Sequence, residues 1–124
     1  MWLLLEIAGF LTTVVGDVHS VLGERYILMR PFRRTELPKL FGSTEFTARV
    51  LRFAWHLTTV AWWGFAAMLF LLASGLTTAR NLSFTMAATF LASGAITLGI
   101  SRGKHLARPV FCFIGGVCLY AAMA

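Results

Sequence analysis

Four apolar stretches, at about residues 2–24, 53–76, 82–100 and 109–124, occupy most of this 124-residue chain and constrain it more than any other feature. A helix needs roughly 20 apolar residues, at ~1.5 Å of rise each, to cross the hydrocarbon core of a bilayer. The second and third stretches meet that need. The fourth is shorter, so it must end near the far surface or sit where the bilayer is thin. The first is interrupted by Glu6, Asp17, His19 and Glu24 and is the weakest span by hydropathy alone. Hydrophobic residues make up 58% of the chain and the mean hydropathy is +0.77, too apolar for a soluble domain of this length. The expected fold is an all-α membrane protein: a single domain over residues 1–124, with four transmembrane helices in an up-down bundle.

Charge orients that bundle. Of the eleven basic residues, Arg25, Arg30, Arg33, Arg34, Lys39, Arg49 and Arg52 lie at or between the first two stretches. Arg102, Lys104 and Arg108 lie between the third and fourth, and only Arg80 lies in the second connection. The first and third connections of a four-helix protein share a side, which the positive-inside rule makes cytoplasmic. The expectation is N-out and C-out in the inner (plasma) membrane, both basic loops facing the cytoplasm. Because the charge follows the hydropathy, its natural counterpart is the anionic headgroup layer rather than a nucleic acid. The loop at about 26–52 carries Pro31 and Pro38, with Phe32, Leu37, Leu40, Phe41 and Phe46 among its cations, a composition suited to the headgroup layer. Gly42 or Ser43 can cap a helix there, with Glu45 in its first turn. The N-terminus has no basic segment before its apolar run, so the first helix is expected to be retained.

The first stretch is saved as a span by its two faces. At 100° per residue, Leu3, Leu4, Ile7, Leu11, Val14, Val15, Val18, Val21 and Leu22 fall on one side. Glu6, Gly9, Thr12, Thr13, Gly16, Asp17, His19, Ser20, Gly23 and Glu24 fall on the other. Ionisable groups are costly in a bilayer and usually face a bundle interior or a watery cavity. The polar face is therefore expected to be buried against the other three helices, opening toward the cytoplasmic leaflet.

His19 and His56 sit about one turn inside the cytoplasmic ends of the first two helices, and His105 lies in the third connection. Three chemistries suit them. A b-type haem can take His19 and His56 as axial ligands, with Arg49 and Arg52 on its propionates and Trp63 on the same face of the second helix. A transition metal can take His19, His56, Glu24 and His105. Alternatively, the imidazoles bond to Asp17, Ser20, Thr59 or a backbone carbonyl and tie the helices together. The acids carry a different alternative. Glu6, Asp17 and Glu24 lie on one line of the first helix and could serve a small proton- or cation-coupled transporter or channel. The step from Glu6 to Asp17 is ~16 Å, so Thr12, Thr13 and water would have to bridge it. The competing reading pairs Asp17 and Glu24 with Arg25, Arg49 or Arg52.

Length and helix count resemble the small multidrug resistance transporters, and Leu5-Glu6-Ile7-Ala8-Gly9 is similar to the neighbourhood of their first-helix glutamate. The strong charge bias departs from the dual topology such dimers require, and the likeness covers only those five residues. No nucleophile–base pair, phosphate loop or dinucleotide fingerprint is visible along the chain. Cys112 and Cys118 read as small buried hydrophobes. The sequence thus points first to a binding or accessory subunit, alone as a homo-oligomer or within a larger membrane complex. A carboxylate-based transporter and a metal-dependent membrane enzyme at the cytoplasmic face are the alternatives.

Overall fold

A computed structural model of the protein describes residues 1–29, 39, 43–101 and 107–124. Four α-helices, and no strand among the described residues, follow one another: α1 Trp2–Leu22, α2 Thr44–Ala73, α3 Ala79–Ser101 and α4 Ala107–Met123. Three of them, α1 with its extension, α2 and α3, are long and apolar enough to cross a membrane; α4 has 17 residues and is shorter. At ~1.5 Å per residue α4 reaches about 26 Å, just under a full hydrocarbon thickness.

The ends of the helices follow from local chemistry. Ser43 caps α2: its hydroxyl accepts the Phe46 N–H at 3.2 Å, and Glu45 lies in the first turn. At the other end Gly75 adopts φ +69°. The Gly75 N–H bonds to the Leu72 carbonyl at 3.3 Å and the Leu76 N–H to the Leu71 carbonyl at 3.0 Å. Those two bonds close the helix in a Schellman turn that needs a left-handed residue. Thr78 then caps α3 by accepting the Asn81 N–H at 3.1 Å. The tetrapeptide Leu-Ala-Ser-Gly occurs twice and is used in two ways. At 72–75 it ends α2, while at 91–94 it runs through the interior of α3, where Gly94 makes room for Cys112.

Two boundaries differ from those expected. The first helix does not stop near residue 24 but continues as a π-helical segment, Gly23–Leu28. The second begins at Thr44 rather than near 53, so the first connection is shorter at both ends than 26–52.

The helices pack in chain order. α1 lies on α2, α2 on α3 and α3 on α4, and no comparable interface joins α1 to α3 or α4. The polar face of α1 therefore meets α2 alone, not three helices, and Glu6 and Asp17 on it stay exposed. The residues of its apolar face, Leu3, Leu4, Ile7, Leu11, Val14, Val15, Val18, Val21 and Leu22, all stand exposed, Leu5 and Ala8 are half-buried, and Gly9, Gly16 and Gly23 are buried. This is the reverse of a soluble helix and suits a surrounding of lipid.

Candidate functional site

The interface between α1 and α2 is organised by three glycines seven residues apart, each facing an aromatic ring of α2. A Cβ built on Gly9 would lie 2.9 Å from Phe70, and one on Gly16 would lie 3.3 Å from the Trp63 indole nitrogen. On Gly23 it would fall inside the Trp55 indole. Going down α1, the partners run backward along α2. The arrangement is a row of ring knobs in glycine holes, which brings the two backbones close enough for short polar side chains to meet.

Those side chains form two neighbouring strips. On the first, the His19 imidazole stacks on Trp55 with ring centres 4.2 Å apart and planes 2° from parallel, and tilts against Trp62 at 4.9 Å. Its Nε2 meets the Thr58 hydroxyl at 3.0 Å, and that hydroxyl also lies 2.6 Å from the Trp55 carbonyl. The Trp55 indole N–H donates to the His19 carbonyl at 2.9 Å. That carbonyl also accepts the Gly23 N–H at the entry to the π-helical segment, so both its lone pairs are used.

On the second strip, the Ser20 hydroxyl lies 2.7 Å from His56 Nδ1, and His56 Nε2 lies 3.3 Å from Glu24 Oε2. Arg52 grips the same carboxylate with both ends of its fork. Its Nε donates to Oε2 at 3.0 Å, and its terminal nitrogen lies 2.7 Å from Oε1. This two-point contact is the strong form of an arginine–carboxylate pair. A turn deeper, the Trp63 indole N–H donates to Asp17 Oδ1 at 3.0 Å. That bond accounts for a tryptophan away from the interfacial belt where it is usually found. Thr59, 2% exposed beside Gly16, has no hydrogen-bond partner for its hydroxyl among the described residues.

The residues singled out from the sequence are thus distributed as follows. His56, Glu24 and Arg52 come together, with Ser20. His19 is held on the other strip, with Thr58 rather than Thr59. Arg49 pairs with Glu45 on its own helix. Trp63 is taken by Asp17, and Glu6 stands exposed near the start of α1. His105 lies outside the described residues. The three acids of α1 do not share an environment: Glu6 is open, Asp17 holds an indole, and Glu24 holds a guanidinium and an imidazole. Among the described residues no group of three His, Cys, Asp or Glu side chains is gathered as metal ligands would be. Both ring nitrogens of His56 and Nε2 of His19 are engaged within the interface, so haem or metal binding finds no support in this arrangement. A separate cleft of about 350 Å³ among α2, α3 and α4, lined mainly by Leu57, Phe65, Met68, Met86, Phe90 and Phe111, is apolar and carries none of these groups.

The Ser20–His56 contact is one of the helix ties that the sequence offered, but the sequence did not offer the series Ser20, His56, Glu24, because 36 residues separate Ser20 from His56 and only docking sets their order. The usable signal was depth: Ser20 and His56 lie about one turn inside the ends of the two apolar stretches as read from the sequence, 2–24 and 53–76. Compared with known protein families, curated proteins and solved structures, the chain matches none.

Proposed function

We propose that this small helical, membrane-compatible protein is a multi-pass protein of the inner membrane that acts as a binding or accessory subunit. Its four helices run up and down, with both termini outside and both basic connections in the cytoplasm. Its distinctive surface is the polar seam of α1 and α2 at the cytoplasmic mouth. The observation that carries this reading is the Ser20–His56–Glu24–Arg52 network. It concentrates ionisable groups at the end of the α1–α2 pair that adjoins the basic connection. Of the roles open to His19 and His56, the one supported is to knit α1 to α2, since each imidazole already has a hydroxyl partner on the facing helix. Anionic headgroups are the counterpart of the ten cytoplasmic basic residues. A homo-oligomer or a larger membrane complex is the setting in which such a subunit would work.

Two measurements test this. Reporter fusions at both termini should report the outside and fusions in the two basic connections the cytoplasm; the opposite pattern overturns the topology. The purified protein should be colourless and metal-free, and His56→Ala should loosen the α1–α2 pair. A Soret band lost in both His19→Ala and His56→Ala would replace the knitting role with haem ligation.

A further inference from the structure

The second strip has an order beyond that of a helix tie. A hydroxyl, an imidazole and a carboxylate stand in series at 2.7 Å and 3.3 Å, and Arg52 fixes the carboxylate at two points. A nucleophile within hydrogen-bond reach of a base, which is itself oriented by a third group, is the general signature of an activated nucleophile. It is recognised by geometry and roles rather than by sequence order. With the proton on Nε2, the imidazole donates to Glu24, and its Nδ1 lone pair is left to accept the Ser20 O–H. The side chains of His56 and Glu24 keep 23% and 32% of their surface exposed, so the array is not sealed in a core. Depth suggests the substrate. Ser20 lies one helical turn inside Glu24, whose Arg52 partner belongs to the basic end of α2. That places the hydroxyl where hydrocarbon gives way to headgroups, the level of the acyl-ester groups of membrane lipids.

We propose that Ser20 is a nucleophile activated by His56, that it accepts acyl groups from carboxylic esters of lipids at the cytoplasmic surface, and that Glu24 is the positioning residue for His56. The inference rests on reading the α1–α2 seam as a cytoplasmic-face site. In the forward step Ser20 Oγ forms a bond to the ester carbonyl carbon while the Oγ proton moves to His56 Nδ1. The carbon–oxygen bond to the alcohol then breaks, and the imidazolium returns the proton to the leaving alkoxide. Water repeats the sequence on the acyl-serine, releasing the fatty acid and restoring Ser20.

The test is covalent labelling of the full chain in phospholipid micelles with a long-chain alkyl fluorophosphonate. Ser20 Oγ bonds to phosphorus, fluoride leaves, and the hydroxyl proton leaves through His56. The adduct should map to Ser20 by peptide mass spectrometry in the unmodified chain, which requires no variant to fold. Labelling should fall by roughly 100-fold in His56→Gln and return in part when free imidazole is supplied to His56→Ala. Glu24→Gln should slow it by about tenfold, with part of the rate restored in Glu24→Asp. Ser93→Ala on α3 should label like the parent chain. A short-chain, water-soluble fluorophosphonate should react more slowly than the long-chain one; equal rates would overturn the lipid assignment. No adduct on folded protein, or an adduct elsewhere that survives Ser20→Ala, overturns the nucleophile. Indole fluorescence from Trp55 and Trp63 separates these failures from loss of the seam. If the emission is unchanged and no label appears, the helix tie stands and only the chemistry is refuted.

Discussion

The two outer interfaces of this protein solve the same packing problem with different chemistry. Between α3 and α4, glycines also make room for side chains: a Cβ on Gly115 would lie 2.7 Å from Leu91, and one on Gly94 would lie 3.0 Å from the Cys112 sulfur. The hydroxyls of α3 bond within their own helix. Thr85, Thr89, Ser93 and Thr97 each donate to the carbonyl four residues back, and the first three of them lie on the side of α3 that faces α2. Between α1 and α2 the polar groups bond across the interface instead, and five of them, Asp17, His19, Glu24, Arg52 and His56, are ionisable. The α3–α4 interface is packed through glycines against apolar side chains and a thiol, and the α1–α2 interface adds a chain of charges to its glycine packing. Lipid-embedded helices associate well enough through small residues. The expense of charges in a bilayer therefore marks the α1–α2 seam as the part with a task.

If shape is the common foundation, the largest effect should come from filling a glycine hole. Gly23→Val places a side chain inside the Trp55 indole and should destabilise the protein by about 3 kcal/mol, the upper range for overpacking. Gly116→Val on α4 meets no atom within 4 Å and should stay within ~0.5 kcal/mol of the parent. Thermal unfolding in micelles, followed by indole fluorescence, measures both. Equal stability of the two variants would remove the knob-and-hole account of α1 on α2.

The charge chain should contribute less. Arg52→Met leaves Glu24 with His56 alone. The Arg52 and Glu24 side chains are 37% and 32% exposed, so the loss should fall at about 1–2 kcal/mol, between the values for surface and for buried pairs. Arg49→Met breaks a pair whose Glu45 side chain is 72% exposed and should cost at most about 0.5 kcal/mol. If the two substitutions cost the same, Glu24 is not the hub of the seam.

The link from Ser20 to His56 is tested best by a cycle. Ser20→Ala and His56→Phe, separately and together, should show a coupling of about 0.6–1.7 kcal/mol, the range found for hydrogen bonds between membrane helices. A coupling near zero would mean the 2.7 Å contact adds nothing to association.

Much of this was readable beforehand, and the parts that were not share a cause. The residues assigned to the apolar face of α1 are all exposed, because a 100° step fixes faces without knowledge of neighbours, but on the polar face Glu6 and Asp17 are exposed as well. The pairing of Glu24 with Arg52 follows from depth and charge sign. The Ser43 cap and Glu45 in the first turn follow from local hydrogen bonding. What sequence could not supply was azimuth on the partner helix. Thr58 and Thr59 are adjacent in the chain but face directions 100° apart, and only docking decides which of them meets His19. The π-helical segment after Leu22 was equally hidden, since Gly23-Glu24-Arg25 carries no local signal for a wider turn. Nor could hydropathy say that α1 touches α2 alone, because the same two-faced pattern would suit a closed bundle.

The smallest effect should come from the hydroxyls of α3. Ser93 is 5% exposed, and burial of that degree suggests a costly group to disturb. Its hydroxyl, however, donates to the Thr89 carbonyl, which as a helical carbonyl already receives a backbone N–H. Removing the hydroxyl strands no partner, and back-bonding of this kind adds little to a helix and can slightly weaken it. Ser93→Ala should therefore change stability by no more than about 0.5 kcal/mol in either direction, even though Ser93 is more buried than either member of the Glu24–Arg52 pair. Burial and cost should thus run in opposite orders for Ser93 and the Glu24–Arg52 pair. If Ser93→Ala instead proves as damaging as Arg52→Met, the hydroxyls of α3 are bonding to other helices, and the contrast with the α1–α2 seam disappears.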